Sequence, residues 1–285
     1  MEHAMKQRHL SDERGESLVG MLVAMLISGI VLSASASFFI NCLHHSSDIR
    51  SFTRAQITAS SLLDLMSFEL RMLGSGMPLA QAGFSYQDPA IGELALPLLL
   101  SASATEMTFR LNETGASAIL TSDFLPSSGS HTVSVDSTEG FSPGDSVYLS
   151  SFSAGGTHGL RGVVQSTSAS TIQLSNLSTT QDARFPASSL IQPVSEITYT
   201  HSSNGVIRTT AHGVTTQSDH TSFELTYLDR SGQPIALPLS ATTIRDSLAG
   251  ISVLVRVQSS SRFGGAASVT EAQQTIALRN LILSR

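Results

Sequence analysis

Arg14-Gly15-Glu16-Ser17-Leu18-Val19-Gly20-Met21-Leu22-Val23-Ala24-Met25-Leu26-Ile27 opens a run that stays apolar to Ile40 and free of Asp, Glu, Lys and Arg from Ser17 to Ser47. From Leu18 to Ile40 an α-helix covers roughly 30 Å, the thickness of a bilayer's hydrocarbon core. Leu18, Leu22, Val23, Leu26, Ile27, Ile30, Val31, Phe38 and Phe39 supply its apolar bulk. Gly20, Ser28, Gly29, Ser33, Ser35 and Ser37 dilute it, and small residues at this density suit close helix packing in lipid. Lys6, Arg8 and Arg14 precede the run, and the next basic residue is Arg50. That asymmetry puts the N-terminus in the cytoplasm and the bulk of the chain across the membrane. An alternative reading places a signal-peptidase site near Ala34-Ser35-Ala36.

The helix continues past the span. Asn41 to Leu73 contains neither Pro nor Gly, and Leu62, Leu65, Met66, Glu69, Leu70 and Leu73 recur at steps of three and four. Asp64, Ser67 and Arg71 fall mostly on other sides. Gly74-Ser75-Gly76-Met77-Pro78 ends the helix. One helix from about Glu16 to Leu73 would be on the order of 85 Å long. Residues 16–40 form its membrane half and residues 41–73 an amphipathic half.

Residues 74–285 read as a β-rich domain, on the far side of the membrane. The patch Gly92–Leu100 is interrupted by Pro97 and is neither a second span nor a good helix. Thr105–Leu111 alternates as a strand. From 131 to 178, short alternating segments around Val133, Val147, Leu160 and Ile172 are separated by the turns Glu139–Asp145 and Gly155-Gly156, which predicts a small β insertion. Glu196–Thr200 and Val206–Thr210 form a hairpin around Ser203-Asn204-Gly205. Phe223, Leu225 and Tyr227 alternate, Ile251, Val253, Val255 and Val257 share one face, and Thr275–Leu283 is a last strand. The economical arrangement is one antiparallel meander with the amphipathic half-helix on one face. The fold class is α+β.

The chain has 285 residues, a formal charge of -6, no Trp and a single cysteine, Cys42. Nucleic-acid binding has no basic stripe to rest on. No intrachain disulfide is possible, and Cys42 reads as a small apolar residue. His131, His158, His201, His212 and His220 are scattered through polar loops without metal-binding helical spacing, and no nucleophile motif is present. Gly155-Gly156-Thr157-His158-Gly159 reads as a turn, and Asp145 and Glu139 as turn residues rather than Ca²⁺ ligands. No catalytic, cofactor or metal site emerges, and the chain reads as a non-enzyme.

At Arg14-Gly15 followed by Ser17-Leu18-Val19 and Leu22-Val23-Ala24-Met25, the sequence resembles a type IV prepilin. The resemblance implies a leader, residues 1–15, cut after Gly15 by prepilin peptidase, with Glu16 as the new, N-methylated terminus. It implies a pilin-like fold, insertion in the bacterial inner membrane, and packing with other major and minor pilins through N-terminal helices on an inner-membrane assembly platform. The family usually has Phe where Glu16 stands, and Glu where Gly20 stands. In this respect the chain resembles tip subunits of type II secretion pseudopili. Leu62-Leu63-Asp64-Leu65, Glu69-Leu70-Arg71-Met72-Leu73-Gly74, Phe223–Asp229 with Gly232, and Leu278-Arg279-Asn280-Leu281 are similar to segments of PilW-like minor pilins. The expected role is a minor pilin in assembly, priming or the tip of a type IV pilus. The alternatives are a type II secretion minor pseudopilin and a bitopic protein with a periplasmic binding or adhesion domain.

Overall fold

A computed structural model describes residues 13–77, 99–126, 131–153, 156–179, 184–202, 205–218, 220–239, 243–244, 247–259 and 268–278. The leader up to Asp12, the patch 92–98, the turn residues Gly155, Ser203 and Asn204, and Leu281–Leu283 lie outside them. The architecture is α+β and pilin-like: a long N-terminal helix packed against antiparallel sheet, with additional small strands.

The helix α1 runs Glu13–Arg71, 59 residues. It is already helical at Glu13, the first described residue and upstream of the expected Glu16; nothing in Glu13-Arg14 breaks a helix, and a lone glycine such as Gly15 costs only about 1 kcal/mol. Its residues up to Arg54 belong to one unit of the chain, and those from Ala55 onward to a second, which holds the sheets.

In the second unit, Ala55, Ala59, Leu62, Leu63, Met66, Leu70 and Leu73 are buried. Their three- and four-residue spacing lays one stripe of α1 on the core. Ser67, expected on another side, is buried as well; its hydroxyl donates to Gln274 Oε1 at 2.6 Å. Leu65 is only half-buried. The helix stops where expected. Gly74 N–H donates to Arg110 O at 2.8 Å, and Asn112 N–H to Ser75 O at 2.9 Å, so the end of the helix is tied to a strand. Gly76 has φ +80°, and a Cβ there would lie 2.9 Å from Asn112 Cβ. Only glycine fits that turn without strain.

Ten strands form the larger sheet: β1 Leu99–Ala102, β2 Glu106–Leu111, β3 Ala118–Ile119, β4 His131–Ser134, β5 Ser146–Ser153, β6 Gly156–Thr167, β7 Thr171–Thr179, β8 Leu190–Ser202, β9 Gly205–Thr210 and β10 Gly213–Ser218. The main order is β1-β2-β8-β5-β6-β7-β4, with β3 and β9 on β8 and β10 on β9. The 13-residue β8 joins its parts. Residues 190–194 pair with β5, and residues 195–200 with β2. A separate three-stranded sheet has the order β11-β12-β13, built from Thr221–Leu228, Gly250–Ser259 and Ser268–Ala277.

Among the described residues there are two hydrophobic cores. The first gathers the buried stripe of α1 with Met107, Phe109 and Leu111 of β2, Ile197 and Tyr199 of β8, alternate residues of β11, and Ile251, Val253, Val255 and Val257 of β12. The second gathers Val133, Val147, Leu149, Leu160, Val164, Ile172 and Leu174 with Ala118, Leu120, Phe124, Phe185 and Ile191.

Several expectations are corrected. The single meander is two sheets, because the 8–9–10 strands join the large sheet and 11–13 form their own. The second core reaches from Ala118 to Ile191, wider than the expected 131–178, and β8 fuses its sheet to the rest. The last strand occupies Ser268–Ala277 rather than Thr275–Leu283. Its Ser-Val-Thr-Glu-Ala-Gln-Gln start carries little apolar alternation, and pairing with β12 rather than pattern makes it a strand. The edge strand β10 and short β1 and β3 escaped notice for the same reason.

Candidate functional site

Alpha-helical backbone continues through Gly15 and Glu16, and described side chains begin at Leu18. From there the helix surface is bare. Leu18, Leu22, Val23, Leu26, Ile27, Ile30, Val31, Phe38 and Phe39 are 49% to 72% exposed. Apolar side chains on every side of a helix cannot be satisfied by water and need lipid or other helices around them. Among the described residues α1 is the one helix long and apolar enough to cross a membrane. The chain thus has the organisation of a single-pass membrane-associated protein: an N-terminal apolar helix followed by a β-sheet domain.

Gly20 has no heavy atom within 4 Å of the place its Cβ would occupy, and the same is true of Gly29. A longer side chain at Gly20 therefore meets no obstacle within the chain. Whatever Gly20 contributes acts between molecules or through helix propensity.

The amphipathic half carries a different feature. Glu69 is 5% exposed, and its carboxylate is fully engaged. Tyr199 Oη donates to Oε2 at 2.6 Å, and Arg208 donates to Oε1 from Nε at 3.0 Å and Nη2 at 2.6 Å. Arg208 Nη2 also reaches Glu113 Oε1 at 2.7 Å. Helix, β8, β9 and the loop after β2 meet at this carboxylate. Burial of Arg208 opposes its charge, but the hydrogen bonds of Glu69 and Glu113 outweigh that and hold the guanidinium more firmly protonated. Burial, and then the neighbouring Glu69 charge, pushes the Tyr199 phenol well above its ordinary range. The sequence showed Glu69 only as a polar residue on an apolar stripe. Its partners lie 130 and 139 positions away, where no local pattern reaches them.

The scattered polar candidates separate. His131 packs edge-on against Phe124, with ring centroids 5.9 Å apart. His212 Nε2 lies 3.4 Å from Asp145 Oδ1. Asp145 Oδ2 accepts the Ser142 N–H at 2.7 Å, as a turn residue does. Glu139 is exposed in its turn, and no group of three His, Cys, Asp or Glu side chains able to hold a metal occurs among the described residues. Cys42 is an exposed free thiol on α1.

A second buried charge sits on the opposite face of β2. Arg110, 1% exposed, donates to Glu196 Oε1 from Nε at 2.9 Å and Nη2 at 2.6 Å, and to Tyr148 Oη at 3.3 Å. Arg110 and Glu196 are register partners of β2 and β8. No protein-family model, curated protein or solved structure matches the chain.

Proposed function

We propose that this chain is a minor pilin-like subunit, a structural part of a type IV pilus or of the related type II secretion pseudopilus. Prepilin peptidase removes residues 1–15 by cutting between Gly15 and Glu16. The exposed half of α1 then leaves lipid and packs among the N-terminal helices of other pilins on the inner-membrane platform. The β-domain stays on the far side of the membrane and is carried into the filament. The work is mechanical rather than catalytic.

The observation that carries this reading is the division of one continuous helix. Its first half is apolar and exposed on all sides, whereas its second half is built into a β-domain core. The Gly15-Glu16-Ser17-Leu18-Val19 junction at the head of that helix supplies the processing signal. Gly20 leaves no intramembrane carboxylate to pair with a neighbouring subunit's terminal ammonium, which suits a tip or priming position with no subunit above it. A lone carboxylate in lipid is costly unless paired.

The mature N-terminus tests the reading. In cells with active prepilin peptidase, the purified protein should begin at Glu16, and deletion of the peptidase should restore the longer chain. A chain that keeps Met1 in both backgrounds rejects the pilin role and leaves a bitopic protein with a binding domain. Gly20→Glu is expected to raise incorporation along the filament; unchanged incorporation rejects the tip assignment.

A further inference from the structure

The edge of a β-sheet presents a row of backbone N–H and C=O groups, and folded proteins cover, shorten or charge their edges to keep other chains off. Four edges of this β-domain are managed in those ways. Beside β4, Thr121 N–H donates to Ser134 O and Asp136 N–H to Ile119 O. Along β11, Leu225 N–H donates to Ala104 O and Ile235 N–H to Tyr227 O. The strand β1 is four residues long, with a register shift after Leu99. The strand β13 carries the exposed Glu271, which pairs with Arg256 Nε at 2.8 Å.

The strand β10 has none of these covers along Gly213–Thr216. Gly213-Val214-Thr215-Thr216-Gln217-Ser218 contains no charge and no proline. Among the described residues it pairs with β9 alone, and its register slips only after Thr216. Gly213, Val214 and Thr215 are exposed, Val214 by 68%.

The register shows which groups point outward. Gly213 and Thr210 are partners across the two-residue turn Ala211-His212. Only the mutually hydrogen-bonded type of antiparallel pair can close so short a turn, and the two types alternate along the strands. Val214 with Thr209, and Thr216 with Ile207, are therefore pairs of the other type. Thr209 and Ile207 turn their peptide groups toward β8, where their partners are Thr198 and Thr200. Val214 and Thr216 turn theirs away from the sheet, where neither has a hydrogen bond among the described residues. Two N–H and two C=O groups thus stand in a row at the spacing that another strand matches.

Two copies could join β10 to β10 only about a two-fold axis normal to the sheet. From Ala55 to Arg71, α1 lies along the face of this sheet, its buried stripe meeting Phe109, Ile197 and Tyr199. Rotation about the sheet normal would run the two copies' α1 segments in opposite directions. Subunits that share one membrane run theirs in the same direction, so the symmetric pair does not fit. A different chain with another edge does. We propose that β10 is an assembly edge that receives an uncharged edge strand of a neighbouring pilin-like subunit, joining two β-domains into one sheet. The proposal rests on the pilin reading above.

The test keeps the full chain in its own cells. Thr215 is replaced by the photo-crosslinker p-benzoylphenylalanine, and the adduct formed on irradiation is mapped by mass spectrometry. The adduct should fall within a β-strand of a different subunit that bears an apolar N-terminal helix. Val214→Pro removes an outward N–H without touching the β9 ladder, and Val214→Lys places a charge on the edge. Each should lower the adduct yield about tenfold and leave the melting temperature at the parent's value. If Val214→Pro melts early, Val214→Lys decides. No adduct, an adduct only to a second copy, or a yield that Val214→Lys leaves unchanged overturns the proposal. The mature N-terminus separates the two readings: a start at Glu16 without the strand adduct rejects the edge alone. A retained Met1 with an adduct to a protein lacking an apolar N-terminal helix rejects the edge and the pilin role together.

Discussion

The two halves of α1 are both rich in Leu, Ile and Met, yet they solve opposite problems. From Leu18 to Leu43 the large side chains are exposed around the whole circumference. From Ala55 to Leu73 the buried residues form one stripe, and Ser60, Ser61, Asp64 and Arg71 face water. The first half is a surface whose solvent must come from outside the chain. The second is half of a core whose other half the chain provides. A residue's hydrophobicity therefore says that it will be covered, and its periodicity says by what. Even in the second half, Ile57 and Phe68 remain 62% and 65% exposed, on the side away from the core stripe.

The sharpest way to break this comparison is truncation in each half. Met66→Ala opens a cavity in a packed core and should destabilise the β-domain by about 3–4 kcal/mol, read by denaturant unfolding. Ile27→Ala removes a similar bulk from the exposed half and should leave that unfolding unchanged within about 0.5 kcal/mol. Equal losses at both positions would mean that the halves are not independent in the way their burial implies.

Next in size is the polar joint. Glu69→Ala strips Tyr199 and Arg208 of their shared acceptor and should cost about 3 kcal/mol, at the lower end for a broken buried pair because Arg208 retains Glu113. The loss should be smaller in the Arg208→Met, Glu69→Met double variant, where no buried charge is left unpaired and Glu113, which loses Arg208, is a third exposed to water. A smaller effect is expected at the helix end. Gly76→Ala forces a left-handed conformation onto a side chain that also crowds Asn112, and should cost about 2 kcal/mol by the same measurement.

The weakest effect is a pH dependence. Burial raises the phenol pKa of both Tyr199 and Tyr227 in the folded chain. Raised folded-state values mean that their contribution to stability is complete below the free phenol's pKa, about 10, and is lost as pH climbs above it. Phenolate absorbance followed against pH should show these two tyrosines ionising only together with unfolding. Ionisation of all the tyrosines near pH 10 in a still-folded protein would contradict the buried Glu69–Tyr199 contact. Tyr199→Phe should shift the alkaline limit, and because it removes the donor to Glu69 Oε2 it should also lower neutral-pH stability by about 1–2 kcal/mol.

Periodicity made much of this fold legible. The 3.6-residue pattern from Leu62 to Leu73 located the packing face, Gly74 to Met77 located its end, and Ile251, Val253, Val255 and Val257 declared a buried strand face. It failed where strands lack an apolar side. Gly213–Ser218 and Ser268–Ala277 are held by ladder pairing to a neighbour, and pairing leaves no local mark on residue type. It also failed at Ser67, whose burial depends on Gln274, 207 positions on.

By itself the sequence determined that one uncharged run from Ser17 to Ser47 would form a helix of membrane-spanning length. It also determined that the rest would be a β-domain docked on the helix's amphipathic end. Those conclusions depend on composition and short-range spacing, which are properties of neighbouring residues. Only the tertiary structure decided that two cores are joined by β8, that Glu69 is buried because Arg208 and Tyr199 meet it, and that buried Arg110 is held by Glu196 and Tyr148. Each is a pairing between residues far apart in the chain, and such pairings are set by how the strands come together rather than by any segment read alone.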